Sequence, residues 1–240
     1  MSKKLVVITG ASSGIGKAIA VKMSENGHPL LLLSRRLEKM EEMNLPNCIC
    51  KKVDVTDIES FKSAIAEAEK VYGKTDCLIN NAGVMLLGDP AVQNPEEWSA
   101  MIDINVKGLL NGIHIVLDDM KQRKEGTIIN IGSVAGRKTL DNHAVYCGTK
   151  FAVHAITENI RGEVALSNVR LITIAPGATE SELVSHTTSE DIKNGYKSWA
   201  DSIGGAIKAE DVANSTWFAY SQPQNVCIRE IVLAPTKQQP

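Results

Sequence analysis

Thr9-Gly10-Ala11-Ser12-Ser13-Gly14-Ile15-Gly16 follows a short apolar run, residues 5–8, and opens into a helical pattern over 14–26. Glycines let the backbone turn tightly and come close to a bulky anion, and a helix start offers unpaired N–H groups with partial positive charge. A glycine-rich turn between the first strand and the first helix is therefore predicted to cradle a phosphate, through Gly10, Ser12, Ser13, Gly14, Ile15 and Gly16. The spacing is Gly-x-x-x-Gly-x-Gly, not the Gly-x-Gly-x-x-Gly of the standard dinucleotide fingerprint. A tight turn alone would also use these glycines, but their place in the first strand-to-helix connection favours the phosphate.

Outward from this turn the chain alternates short apolar runs with longer amphipathic ones. Strands are predicted at 5–9, 30–34, 48–53, 77–80, 127–131, 170–175 and 228–233. They are rich in Val, Ile and Leu without clean alternation, as strands buried on both faces of a parallel sheet are. Helical patterns occupy 14–26, 57–72, 96–123, 144–167 and 209–220. The alternation predicts an α/β fold: a single doubly wound Rossmann-like domain over 1–240, with a seven-stranded parallel sheet and helices on both faces. Residues 179–207 are polar and weakly periodic, and are predicted to be a lid over a pocket. The tail 235–240 has little to bury and is predicted to be an exposed end or contact arm.

Composition narrows the function. Charged residues are 22% of 240, the net charge is −2, and no basic tract or acidic tail points to nucleic acid or a membrane surface as partner. Five cysteines, an odd number without a Cys-x-x-Cys, argue against a disulfide framework or zinc site. The apolar run after Lys3-Lys4 is too short for a signal peptide, and no stretch is expected to approach the roughly 20 apolar residues of a membrane helix. A cytoplasmic protein acting on a small molecule is expected, with no metal.

At the end of the second strand, where a carboxylate would bind a ribose diol, stands Ser34-Arg35-Arg36. Two guanidiniums suit a 2′-phosphate. Positive charge at a helix start is otherwise disfavoured by the dipole. NADP(H) is thus the expected cofactor.

Tyr146-Cys147-Gly148-Thr149-Lys150 places a phenol and an amine four residues apart, on one face of a helix. A neighbouring ammonium favours the phenolate and makes the phenol a competent proton donor or acceptor. Taken alone, such a pair is commonly surface packing. Together, the loop 9–16, Asn80-Asn81-Ala82-Gly83, Asn105, Ser133, the Tyr146/Lys150 pair and Pro176-Gly177 resemble, in order, the motif set of the short-chain dehydrogenase/reductase family. The resemblance spans the chain. It implies that Tyr146 is the acid/base, that Lys150 lowers its pKa and binds the nicotinamide ribose, that Ser133 holds the substrate carbonyl, and that Asn105 supports a water relay. The side chain of Asn105 is expected to hold a water in the helical ladder. The resemblance also implies that Asn81, Ala82 and Gly83 line the adenine-ribose side and that Asp54 and Val55 contact the adenine. Pro176, Gly177, Thr179 and Ser181 would face the nicotinamide, with Ser181 where the family usually has Thr. It further implies a homotetramer packed through the helices at 96–123 and 144–167.

Within that family the chain is similar to the bacterial NADPH-dependent blue fluorescent proteins, in Ser185-His186-Thr187-Thr188-Ser189 and the ending 224–230. That likeness implies strengthened emission from bound NADPH. The expected activity is hydride transfer to a ketone or aldehyde, or the reverse oxidation of an alcohol; the alternative is an NADPH-binding carrier or sensor with little turnover. Cys147, one step from Tyr146 around a helix, is expected to be inert. His143 and His186 are expected near the pocket mouth. Arg137-Lys138 is read as exposed loop charge rather than a carboxylate trap.

Overall fold

The computed structural model describes residues 3–239. Seven parallel strands run in the order β3-β2-β1-β4-β5-β6-β7. They are β1 (Leu5–Thr9), β2 (Leu30–Ser34), β3 (Cys48–Lys52), β4 (Thr75–Asn80), β5 (Gly126–Ile131), β6 (Val169–Pro176) and β7 (Glu230–Leu233). The branched runs of β1, β4, β5 and β6 are buried at every position, because helices cover both faces of the sheet. On one face α1 (Gly14–Glu25) and α8 (Ala209–Ser221) bury Ile19, Met23 and Val212 against Val6, Ile8 and Ile79. On the other, α3 (Ile58–Tyr72), α5 (Gly108–Arg123) and α6 (Ala144–Glu163) bury Phe61, Ile113, Val116 and Val153 against Val7, Leu31 and Leu78. The order reverses at β1, whose neighbours are β2 and β4. That switch point opens a crevice at the carboxyl ends of the strands.

Several boundaries differ from the sequence reading. A five-residue helix, α2 (Leu37–Glu41), follows the arginines. The expected helix at 96–123 is α4 (Pro95–Ile102), a π-helical turn (Asp103–Lys107) and α5. By length and composition this run is apolar enough to cross a membrane, contrary to expectation. Here its Leu109, Ile113, Val116 and Met120 pack against the sheet.

The segment read as a weakly periodic lid is more ordered than its polarity suggests. It holds a 3-10 turn (Glu182–His186) and α7 (Glu190–Ser202), which Ser189 caps by accepting from the Ile192 N–H. Ile192, Tyr196 and Trp199, at i, i+4 and i+7, form a sparse apolar stripe; the first two pack onto a small cluster with Met85, Met101 and Tyr146. The tail is also not merely an exposed end. Gln238 accepts from the Ala178 N–H at 2.9 Å through its side-chain oxygen, so the chain end folds back over the loop after β6. Pro240 lies outside the described residues.

Candidate active site

At the mouth of the switch point, Gly10 and Gly14 adopt positive φ, +64° and +50°, which side chains disfavour. A Cβ on Gly10 would stand 2.8 Å from the Ala82 backbone. The turn is fastened across the sheet. Asn81 Nδ2 donates to the Thr9 and Gly10 carbonyls at 3.0 and 3.2 Å, and Thr9 Oγ1 accepts from the Asn81 and Ala82 N–H groups. Thr9, which the sequence reading passed over, thus anchors the loop. Ser13, at the N-cap of α1, makes no side-chain cap. Gly16, expected in the cradle, does not line the cleft: it lies beneath the turn, where a Cβ would collide with Asn81 and the Gly10 carbonyl.

The second strand delivers the arginines to the same place. Arg36 donates to Ser12 Oγ and Ser13 Oγ, the latter at 2.7 Å, and pairs with Glu182 at 2.7 Å. Ser34 Oγ donates to Ser12 Oγ at 2.8 Å. Hydrogen bonds from Arg36 and Ser13, with Lys39 adding to them, push Glu182 down to about 2. Arg35 also lines the cleft, and makes no hydrogen bond or ion pair among the described residues. Asp54 is tied to Thr56, accepting from its N–H and hydroxyl. An uncapped helix start, two guanidiniums and no free carboxylate at the end of β2 fit a dinucleotide with an additional phosphate. Glu182 has no signal in the sequence, because 146 residues separate it from Arg36.

At the other end of the cleft stand Ser133, Tyr146 and Lys150, exposed by 8%, 5% and 7%. Ser133 follows β5 and accepts from the Ala135 N–H, which starts a 3-10 turn. Tyr146 and Lys150 project from the first turns of α6. Burial pushes the Tyr146 phenol above its ordinary pKa, and the Ser133 hydroxyl beside it acts in the opposite direction. Lys150 Nζ donates to the Ile131 carbonyl at 2.8 Å and lies 5.8 Å from the Tyr146 ring centroid. Desolvation brings its pKa down to about 8. Burial outweighs any lowering of the phenol by the lysine, the effect implied by the family resemblance.

Asn105 is brought close but does not line the cleft. It sits on the π-helical turn, 2% exposed. Its Oδ1 accepts from the Val84 N–H, and its Nδ2 donates to the Val84 carbonyl and Thr149 Oγ1. The side chain ties the π-helical turn to the segment that follows Gly83 and to α6.

The other expected cofactor contacts, from Ile15, Val55, Ala82 and Gly83 to Pro176, Gly177, Thr179 and Ser181, all line the same cleft. Ser181 caps the 3-10 turn Glu182–His186 directly over Gly14. His143 lies by Tyr146, with ring centroids 6.2 Å apart. His186 instead sits toward the arginines, whose charge, added to burial, lowers its pKa. Cys147 turns away and its thiol is pushed up by burial, which suits an inert side chain. His154, which offers no motif, supports the serine. Its Nε2 accepts from the Ser133 N–H at 3.3 Å, and its Nδ1 lies 3.2 Å from Glu230.

The depressed lysine has a measurable consequence. Its folded pKa of about 8 lies below the unfolded value near 10.5, so the unfolded chain binds more protons between these limits. Stability therefore rises with pH through that window, and below it the buried charge costs on the order of 3 kcal/mol. Tyr146, held above its ordinary value, acts in the opposite sense only beyond about pH 10. Calorimetry between about pH 7 and 9.5 should therefore show the wild type gaining on Lys150→Met as pH rises. Parallel curves would contradict the assignment.

The chain belongs to the short-chain dehydrogenase family, whose model matches residues 4–192. It is similar to an uncharacterized oxidoreductase of Staphylococcus saprophyticus, 40% identical over 98% of this chain and 97% of the relative. One from Listeria monocytogenes is 39% identical over 99% and 98%. Among solved structures, a serine dehydrogenase in a closed form complexed with NADP+ superposes with a TM-score of 0.91 at 30% identity, covering 98% of this chain and 96% of that one.

Proposed function

We propose that this chain reduces the carbonyl group of a small molecule with NADPH, the reverse alcohol oxidation using the same groups. The observation that carries the reading is one continuous cleft with Arg35, Arg36 and the uncapped start of α1 at one end and Ser133, Tyr146 and Lys150 at the other. The NADP+ bound by the similar serine dehydrogenase supports the choice of cofactor.

When bound, NADPH supplies a hydride to the carbonyl carbon. Arg35 and Arg36 hold the 2′-phosphate, with Ser12, Ser13 and Ser34 around them. The α1 start and Gly10–Ile15 hold the pyrophosphate, and Asp54 and Val55 flank the adenine. Pro176, Gly177, Thr179 and Ser181 bound the nicotinamide side, and Lys150 reaches its ribose. Ser133 donates a hydrogen bond to the carbonyl oxygen. Tyr146 gives that oxygen its proton, and the Lys150 ammonium stabilises the phenolate left behind. The raised pKa of the buried phenol suits the donor role, since it is protonated at neutral pH. Asn105 and His154 hold these groups in place. Residues 179–207 act as the lid.

A dry pocket of this kind also favours emission from the bound reduced nicotinamide, as the likeness to the blue fluorescent proteins implies. The test is one cuvette. NADPH added to the protein is expected to gain blue emission, and the signal is expected to decay when a neutral aryl ketone or aldehyde follows. Emission that persists with every carbonyl tried would favour a sensor or carrier.

A further inference from the structure

The cleft is divided by charge. Five residues with ordinarily charged side chains line it: Arg35, Arg36, Asp54, Glu182 and Lys150. The first four stand at the phosphate end. Lys150 stands behind Tyr146, its ammonium donating to the Ile131 carbonyl. Around Tyr146 the lining is Met85, Leu140, Leu183, Val184 and Tyr196, which pack as one cluster, with Trp199 against Tyr196. Rings continue one another there: His143 lies 6.5 Å from Tyr196, and Tyr196 5.3 Å from Trp199, between centroids.

Among the described residues, no cation other than Lys150 lines the cleft at that end. Arg137 and Lys138, the two basic residues nearest Ser133 in sequence, both turn elsewhere. Arg137 pairs with Glu230 at 2.5 Å, Lys138 donates to the Gln239 carbonyl at 2.9 Å, and neither lines the cleft. His143 Nδ1 stands 2.6 Å from the Asp141 carbonyl, an arrangement that needs an N–H on that nitrogen. Burial lowers the pKa of this ring, so it is neutral at neutral pH and supplies no counter-charge.

A substrate carboxylate placed here would lose its water and meet at most the neutral Tyr196 O–H and Trp199 N–H donors, with no counter-charge, and an ammonium would fare no better. We infer that the substrate of this site is an uncharged carbonyl compound carrying an aromatic or bulky apolar group beside the carbonyl. The inference rests on the carbonyl-reducing reading of the cleft. It separates this chain from the serine dehydrogenase it resembles in fold: serine carries both an ammonium and a carboxylate.

The test uses matched probes that differ in charge: methyl benzoylformate against benzoylformate, and acetophenone against 4-acetylbenzoate. Binding is measured by calorimetry to the NADP+ complex of Tyr146→Phe, which has no hydride to transfer. Each neutral probe is expected to bind at least about tenfold more tightly than its acid, a difference of about 1.4 kcal/mol. In Leu183→Lys the acid is expected to gain relative to its neutral partner, which a merely damaged pocket would not produce. Acids that bind as well as their neutral partners, or neutral probes that fail to saturate the complex, overturn the inference. Turnover by the wild type reads the underlying function separately. Selective binding without turnover rejects carbonyl reduction and keeps the charge assignment; equal turnover of acid and neutral probes does the reverse.

Discussion

Tyr146→Phe is expected to reduce carbonyls about 10³-fold more slowly than the wild type while binding NADPH nearly as well. The substitution removes one oxygen from a buried ring and leaves its packing with Met85, Met101 and Ala135 intact. What disappears is the proton that must reach the carbonyl oxygen as hydride reaches carbon. Neither neighbour replaces it. Ser133 Oγ is held by the Ala135 N–H, and the Lys150 ammonium lies 5.8 Å from the ring centroid. Single-turnover decay of the NADPH signal measures the step without product release. A variant that keeps wild-type rates would remove Tyr146 from the mechanism.

The second large effect is expected at the arginines. Together, Arg35→Ala and Arg36→Ala should weaken NADPH by about 10²-fold or more, at roughly 1.5–3 kcal/mol for each lost hydrogen bond to a charged group. NADH, which lacks the 2′-phosphate, should be little affected, so the affinity ratio collapses. The geometry adds a detail. Arg36 is paired with Glu182, and a phosphate arriving there must share or displace that carboxylate. Glu182→Gln should therefore tighten NADPH modestly and leave NADH unchanged. An unaltered NADPH/NADH ratio in the double variant would refute the phosphate assignment.

How far these features can be read from the sequence follows from the range of the interactions that make them. The sheet is legible because Leu5–Thr9, Leu30–Ser34 and Val169–Pro176 carry local signals of double-sided burial. The glycine turn, the arginines and the Tyr146/Lys150 pair are legible because each is one short stretch. Helix α7 escapes a sequence reading because it buries no residue completely and its stripe is sparse. Glu182 on Arg36, His154 behind Ser133 and Gln238 on Ala178 escape it because each joins segments distant in sequence. Asn105 stands out in the sequence, but its fastening of Val84 and Thr149 is not written there, since both partners are distant in the chain. Gly16 reads as part of the cradle because spacing alone cannot separate a glycine that faces a ligand from one that lets a helix pack beneath it.

The most direct test follows the hydride itself. NADPH carrying deuterium at the transferable position of the nicotinamide is incubated with the protein and an uncharged aryl ketone, and the alcohol is examined by mass spectrometry. The expected result is one deuterium on the carbinol carbon, formed by the wild type and lost in Tyr146→Phe. Tight NADPH binding with no deuterium in any alcohol would contradict the central claim that this cleft reduces carbonyls.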